Sequence, residues 1–404
     1  MKTFRDLPFR LLERLRLQPS SSTKRPLVDV AQINTTIHDA LAAAGLTTHS
    51  GPLSNVTGVI EQALASAGLT QRSPARTDAG ETIAGVAQEI RSPLDGDREP
   101  AAPPPAVLPD AAGEFIATSF TNQAGTRAYK LYVPASYSRD VCEPLPLVVM
   151  LHGCTQSPDD FATGTRMNAL ADEHGFLVAY PAQAANANGS KCWNWFRAED
   201  QGRDKGEPSI LAGVVREIAS RYRVDERRIF VAGMSAGAAM AVILGETYPE
   251  LFAAVGAHSG LPYGAAHDIP SALGAMKGSV AKSRAASSNN APSNWVPTIV
   301  FHGDRDNTVV ARNGAAIVEA IVDRADGLLE RAERAGSAAG GRSYRQIVYA
   351  RAGEPPAVEQ WVLQGAGHAW SGGSAQGSFT DGSGPDASAE MIRFFLQQRR
   401  AGTA

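Results

Sequence analysis

Arg228-Ile-Phe-Val-Ala-Gly-Met-Ser-Ala-Gly-Ala-Ala-Met240 decides how this chain is read. Its first half, Ile229–Ala232, is a short apolar run of the kind that crosses the middle of a buried sheet. Its second half, from Ala236, is built of small helix formers. Between them stands Gly233-x-Ser235-x-Gly237, a serine with a glycine two positions to either side. A tight strand-to-helix turn needs that spacing, because glycine lets the backbone close where a Cβ would clash. The N-terminus of the helix then favours negative charge developing beside it. The reading is a nucleophilic serine. The competing one is an ordinary glycine-rich strand–helix turn.

Outward from this turn, from about Glu114, short apolar runs alternate with amphipathic segments. Candidate strands are Ala128–Val133, Leu145–Leu151, Leu177–Tyr180, Ile229–Ala232, Ala253–Ala257, Thr298–His302 and Val358–Leu363. Candidate helices are Arg166–His174, Ile210–Tyr222, Ala236–Tyr248 and Ala387–Gln397. The alternation predicts an α/β domain over residues 114–400, with a mostly parallel central sheet and helices on both faces.

Three further strand ends carry chemistry. Thr298-Ile-Val-Phe-His-Gly-Asp-Arg-Asp-Asn-Thr-Val309 ends a strand in His302-Gly303 and then offers two carboxylates. An imidazole base needs one carboxylate to fix its tautomer and stabilise its cation. Asp306, followed by the apolar Val309, is the choice. Asp304 is the alternative, and an Asx-turn role is the bland reading for either. Val362-Leu-Gln-Gly-Ala-Gly-His-Ala-Trp-Ser-Gly-Gly373 places His368 in a glycine-rich loop after the last strand. Of the eight histidines, His368 alone has this setting and follows the aspartates. The order Ser235, Asp306, His368 is that of α/β-hydrolases. The fourth segment, Pro146-Leu-Val-Val-Met-Leu-His-Gly-Cys-Thr-Gln156, runs a buried strand into His152-Gly153-Cys154. In such a fold this loop gives one oxyanion-hole N–H and the residue after the serine gives the other. The expected donors are the backbone N–H groups of Cys154 and Ala236. His152 orders the loop or lines the pocket, and Cys154 as a small buried filler is the plain alternative.

Cys192-Trp-Asn-Trp-Phe196 sets two tryptophans two positions apart in a Gly/Asn-rich stretch. Trp193 or Trp195 either flanks a substrate cleft or anchors a long loop in the core. Trp370, two residues after His368, is expected to wall the same cleft. Cys154 and Cys192 pair in an oxidising compartment and stay free in a reducing one, leaving Cys142 unpaired in the first case. No His/Cys/Glu cluster has metal-ligand spacing and no phosphate loop is visible, so neither metal nor cofactor is expected.

Composition closes off other classes. In 404 residues, 38 Lys and Arg face 41 Asp and Glu, a net charge of −3 that argues against non-specific nucleic-acid binding. No apolar run approaches the roughly 18 residues of a membrane span. Three cysteines exclude a disulfide scaffold.

Residues 1–90 read as a helical or partly disordered segment. Phe4, Leu7, Leu11 and Leu15 recur at helical spacing among arginines, so residues 1–25 suit a granule or lipid surface, or else form a solvated helix. Ile37–Thr47 and Ile60–Thr70 are two copies of one short helical pattern, too few for a solenoid. Residues 91–113 form a Pro-rich linker. Charges interrupt every apolar run in residues 1–25, which predicts no secretory leader and a cytoplasmic chain.

HGCTQ at 152–156, CWNWF at 192–196, GEPSILAGVVREI at 206–218, GMSAGAAM at 233–240, SGLPYGAA at 259–266 and GAGHAWSGG at 365–373 together resemble the poly(3-hydroxybutyrate) depolymerase family of esterases. The resemblance covers roughly residues 115–398. It implies an α/β-hydrolase fold, serine ester hydrolysis without a cofactor, and Ser235, Asp306 and His368 as the triad. It implies an ester substrate, from a group that also includes feruloyl and acetylxylan esterases. Family relatives are often secreted, and polymer-degrading ones carry a C-terminal polymer-binding domain. None follows the last helix here, which puts crystalline polymer in doubt; short-chain or hydroxyacyl esters such as poly(3-hydroxybutyrate) or its soluble oligomers are the expectation, and a granule- or polymer-binding protein with secondary hydrolase activity, docked through residues 1–90, is the alternative.

Overall fold

Leu145–Leu151 (β3) and Val224–Met234 (β5) are buried along their apolar stretches. Such strands need cover on both faces, and the chain supplies it. The computed structural model describes residues 113–137, 143–279 and 295–400. The expectations for residues 1–90, for the linker up to Ala112 and for Cys142 lie outside those residues.

The remaining strands of the main sheet are Glu114–Asn122 (β1), Gly125–Val133 (β2), Leu177–Pro181 (β4), Ala254–His258 (β6), Thr298–Gly303 (β7), Glu330–Ser337 (β8), Ser343–Ala350 (β9) and Val358–Leu363 (β10). Their order is β1-β2-β4-β3-β5-β6-β7-β10-β9-β8. The central run from β4 to β10 is parallel. Two antiparallel strands close each side. A separate two-stranded ladder joins Trp370–Ser371 (β11) to Thr380–Asp381 (β12).

Seven helices are described: Pro158–Thr165 (α1), Met167–His174 (α2), Gly206–Arg221 (α3), Ala236–Thr247 (α4), Ile269–Met276 (α5), Arg312–Arg324 (α6) and Ala387–Leu396 (α7). Alternate residues of each central strand feed opposite layers. Leu147, Val149 and Val231 meet Leu211, Val214, Met240 and Ile317 on one face. Val148, Met150 and Phe230 meet Phe161, Met167, Met391 and Phe395 on the other. Burying each such large side chain contributes roughly 1.5–3 kcal/mol.

All seven strands read from the sequence are present, with ends shifted by a few residues. β1, β8 and β9 are additional in the main sheet, and β11 and β12 form the extra ladder. β8 reads ERAERAGS and is almost wholly exposed, the charged dress of an edge strand rather than an apolar run. The helix expected from Arg166 starts at Met167, because Arg166 takes a left-handed conformation (φ 55°) as it closes α1.

Candidate active site

The turn between β5 and α4 holds Ser235 at φ 56° and ψ −119°, outside the regions comfortable for a residue with a Cβ. Such strain costs of order 1–3 kcal/mol and persists only where neighbours impose it. Here they do. The Ser235 N–H donates to the carbonyl of His258 at 2.9 Å, and the Ser235 carbonyl accepts the Ala239 N–H at 3.0 Å, starting α4. A Cβ on Gly233 would lie 2.6 Å from the Leu151 carbonyl oxygen, and one on Gly237 would lie 2.6 Å from that of His152. The two glycines flanking the serine are thus fixed by backbone contact with the end of β3.

Asp306 and His368 meet from the ends of β7 and β10. His368 Nδ1 lies 2.6 Å from Asp306 Oδ2. The other carboxylate oxygen accepts the N–H groups of Thr308 at 2.9 Å and Val309 at 2.8 Å. Burial alone would raise the Asp306 pKa. The hydrogen bonds from His302 and His368, the His368 charge and the Val309 N–H outweigh burial and hold it well below the usual carboxylate range. His302 stands on the far side, with Nε2 3.5 Å from Asp306 Oδ2 and donating to the Val309 carbonyl at 2.7 Å. Asp304, the alternative carboxylate, instead accepts the Gly365 N–H at 2.7 Å and so pins the histidine loop. The two loops touch backbone to backbone: a Cβ on Gly303 would lie 2.7 Å from the Gly367 carbonyl oxygen.

The loop after β3 reaches the same place. A Cβ on Gly153 would stand 3.7 Å from that of Ser235. Among the described residues, the N–H groups of Cys154 and Ala236 donate no hydrogen bond. Gln156 accepts the Gly153 N–H at 2.9 Å, and a disulfide joins Cys154 to Cys192.

Four residues expected at the substrate are buried. Trp193 is fully buried, donates from Nε1 to the His152 carbonyl at 3.1 Å and packs beside Arg127. Trp195 is buried with its ring edge-on to Phe196. Trp370 stacks on His258, meets Phe161 edge-on and donates to Ser388 Oγ at 3.1 Å. These tryptophans are core anchors, not cleft walls, because packing leaves them no exposed face. His152 is buried too; burial, with the charges of Lys191 and Arg127, brings its pKa down to about 4 despite the Gly153 carbonyl beside it. The neutral ring donates from Nδ1 to the Gly153 carbonyl at 2.7 Å and accepts the Gln183 N–H at Nε2 at 3.1 Å. It orders the loop.

Sequence reading missed what holds that loop. Glu207 is buried and accepts the Asn194 N–H at 2.8 Å, the Asn194 side-chain amide at 3.0 Å and the Gln183 amide. Arg127 faces it at 3.5 Å. Residues 183, 192 and 193, which tie down His152 and Cys154, all lie on the segment that Glu207 clamps. GEPSI carries this glutamate, but nothing in its spacing marks it. His258 was missed as well. It is fully buried, and burial with the charges of His302 and His368 lowers its pKa to about 3.

A cavity of about 510 Å³ lies farther along α4, lined by Val242, Gly245, Ile317, Ala320 and an ion-paired Glu246 and Arg324; Ser235 and His368 are not in its wall. Among the described residues no helix is long and apolar enough to cross a membrane, and no cluster of three His, Cys, Asp or Glu could hold a metal ion.

A doubly covered, mostly parallel sheet that presents a serine on the turn after its fifth strand is an α/β-hydrolase. The solved acetyl xylan esterase from Aspergillus awamori shares this fold at a TM-score of 0.56 and 19% identity, covering 70% of this chain and 100% of that one. The family model described as esterase PHB depolymerase matches residues 127–344, more than half of the chain, and the chain belongs to that family. Poly(3-hydroxyalkanoate) depolymerase C of Paucimonas lemoignei is 31% identical over 274 residues, 65% of this chain and 64% of that one. Acetylxylan esterase A of Talaromyces purpureogenus is 28% identical over 208 residues, 48% of this chain and 52% of that one. The chain thus spans between half and two thirds of these curated relatives.

Proposed function

We propose that the chain hydrolyses carboxylic esters through Ser235, with His368 as general base and Asp306 as its partner. The observation that carries this is the strained Ser235 turn after β5 together with a buried Asp306 that hydrogen-bonds His368 at 2.6 Å. His368 Nε2 takes the Oγ proton as Oγ attacks the ester carbonyl carbon. The oxyanion is received by the free N–H groups of Cys154 and Ala236, each worth roughly 2.7–4 kcal/mol in such a site. The C–O bond to the alcohol breaks, and His368 returns the proton to the leaving oxygen. Water then attacks the acyl-enzyme by the same route, releasing the acid and restoring Ser235.

The favoured substrates are short-chain and hydroxyacyl esters, including 3-hydroxybutyrate oligomers, in line with the family and the Paucimonas relative. A second reading, an acetyl or feruloyl carbohydrate ester, draws on the Talaromyces relative. The Cys154–Cys192 disulfide favours an oxidising compartment over the cytoplasmic expectation.

Hydrolysis of p-nitrophenyl esters from C2 to C12 tests the reading. Activity greatest at C2–C4, abolished by a serine-reactive phosphonate and by Ser235→Ala, is the expected result. A Ser235→Ala protein with wild-type turnover would overturn it. Comparing 3-hydroxybutyrate oligomers with methyl ferulate and acetylated xylan separates the two substrate readings.

A further inference from the structure

Among the described residues, Phe379 combines two features that no other exposed large apolar residue combines. The residue is 49% exposed, and its backbone is left-handed at φ 53°. Ile269, Leu273, Leu328 and Leu396 are also exposed, but none has a positive φ. A bulky aromatic rarely adopts that conformation, because its Cβ crowds the following carbonyl.

The neighbours show how residue 379 is held there. Its carbonyl accepts the Trp370 N–H at 2.7 Å, two residues beyond His368, where β11 and β12 begin to pair. On its other side, the Ser378 N–H donates to Asp160 Oδ1 at 2.8 Å, and the Ser378 carbonyl accepts from Gln156 Nε2 at 3.1 Å. Gln156 is the residue that also holds the Gly153 N–H, beside Ser235. Residue 379 is therefore locked between the histidine loop and the loop after β3. The strain is maintained by bonds to both loops while the residue stays exposed. Core packing has no need of such a ring, and strain kept between the two loops points to a role in binding.

We propose that Phe379 is a specificity-determining residue that contacts the part of an ester lying beyond the reacting acyl unit, such as the second hydroxyacyl unit of an oligoester. This rests on the reading of Ser235 as nucleophile. An aromatic face takes methyl- and methylene-bearing chain by dispersion and burial. Placed beyond the reacting unit, such a contact meets only longer substrates and so discriminates by length.

The test compares 3-hydroxybutyrate trimer with p-nitrophenyl acetate for the wild type, Phe379→Ala, Phe379→Tyr and Phe379→Gly, with melting temperatures for all four. Phe379→Ala is expected to raise the trimer KM about five- to tenfold, within the range one lost apolar contact supplies, and to lower the trimer-to-acetate ratio of kcat/KM by a similar factor. Phe379→Tyr restores most of that ratio. Phe379→Gly loses the ratio like alanine yet melts at the same temperature or higher, because glycine accepts the left-handed backbone. An unchanged ratio in Phe379→Ala overturns the proposal. So does a glycine variant that melts several degrees lower and loses kcat equally on both substrates. Phosphonate labelling of the wild type is read separately: no adduct on Ser235 overturns the underlying reading, whatever the ratio.

Discussion

The Nε2 atom of His258 accepts the backbone N–H of Ser371 at 3.0 Å, across 113 residues of chain. Through its carbonyl the same residue holds the N–H of Ser235. One buried imidazole therefore joins the serine turn to the loop that carries His368. Its ring is clasped between Phe301 and Trp370, at centroid distances of 5.8 and 5.2 Å.

His258→Phe keeps the stacking and removes the acceptor. The orphaned Ser371 N–H should cost about 1–3 kcal/mol, read as a lower melting temperature. Loosening of the histidine loop should lower kcat by on the order of tenfold to a hundredfold, with little change in KM. Unchanged kcat would show that the loop is held by its other contacts alone.

Acid sensitivity follows from the buried histidines. In the folded chain His152 titrates near 4 and His258 near 3, against 6.5 for an ordinary histidine. Below 6.5 the unfolded chain binds protons that the folded chain refuses, so stability falls as pH falls, by up to about 1.4 kcal/mol per pH unit for each ring. Asp306, held below its ordinary 3.8, adds a loss of the same sign once the pH drops under that value. Denaturant melts between pH 7 and 4 should show this slope, and His258→Phe should make it shallower. A flat profile in the wild type would contradict the burial of both rings.

Ser235→Gly separates strain from chemistry. It should abolish ester turnover. It should also raise stability by about 1 kcal/mol or more, since a backbone at φ 56° no longer has to carry a Cβ. A less stable glycine variant would mean that the serine side chain contributes more through its contacts than its backbone costs.

Glu207→Leu removes the ion-pair partner of buried Arg127, leaving it only the more distant charge of Asp200, and frees Gln183 and Asn194. Breaking a buried pair from one side typically costs 3–5 kcal/mol. The specific expectation is that Glu207→Gln, which keeps part of the network, lowers kcat more than it raises KM, because the loop bearing the Cys154 N–H is no longer held. Calorimetry and steady-state kinetics on the two variants check it.

Reduction offers a further check. The Cys154–Cys192 disulfide closes a separation of 38 residues, which chain entropy values at about 4 kcal/mol. A mild reductant should lower the melting temperature and reduce kcat together, and reoxidation should restore both. Full activity in the reduced protein would detach the disulfide from the arrangement of the Cys154 loop.

The central sheet is legible in the sequence because its strands are short apolar runs, and the residues around Ser235, Asp306 and His368 are legible because each stands just past such a run. The edges were not. β1 is only half buried and β8 is charged, so neither presents an apolar stripe. Local pattern also fails for partners far apart in the chain: Glu207 reaches back to Arg127, and His258 reaches forward to Ser371. The tryptophans were misplaced for a different reason. A Trp-x-Trp spacing announces large aromatic surfaces but not which way they turn, and the His152 carbonyl that draws in Trp193 lies 41 residues earlier.

The meeting of Gly303 with Ala366 and Gly367 bears on how this scaffold tolerates change in length. Two backbones in direct contact leave no side chain between them to repack. An insertion in either segment therefore displaces its neighbour, and a library that varies loop length there should return few folded members. The exposed β1–β2 turn at Gln123 and Ala124, at the opposite edge of the sheet from β10, is where additional sequence can be grafted without disturbing that contact.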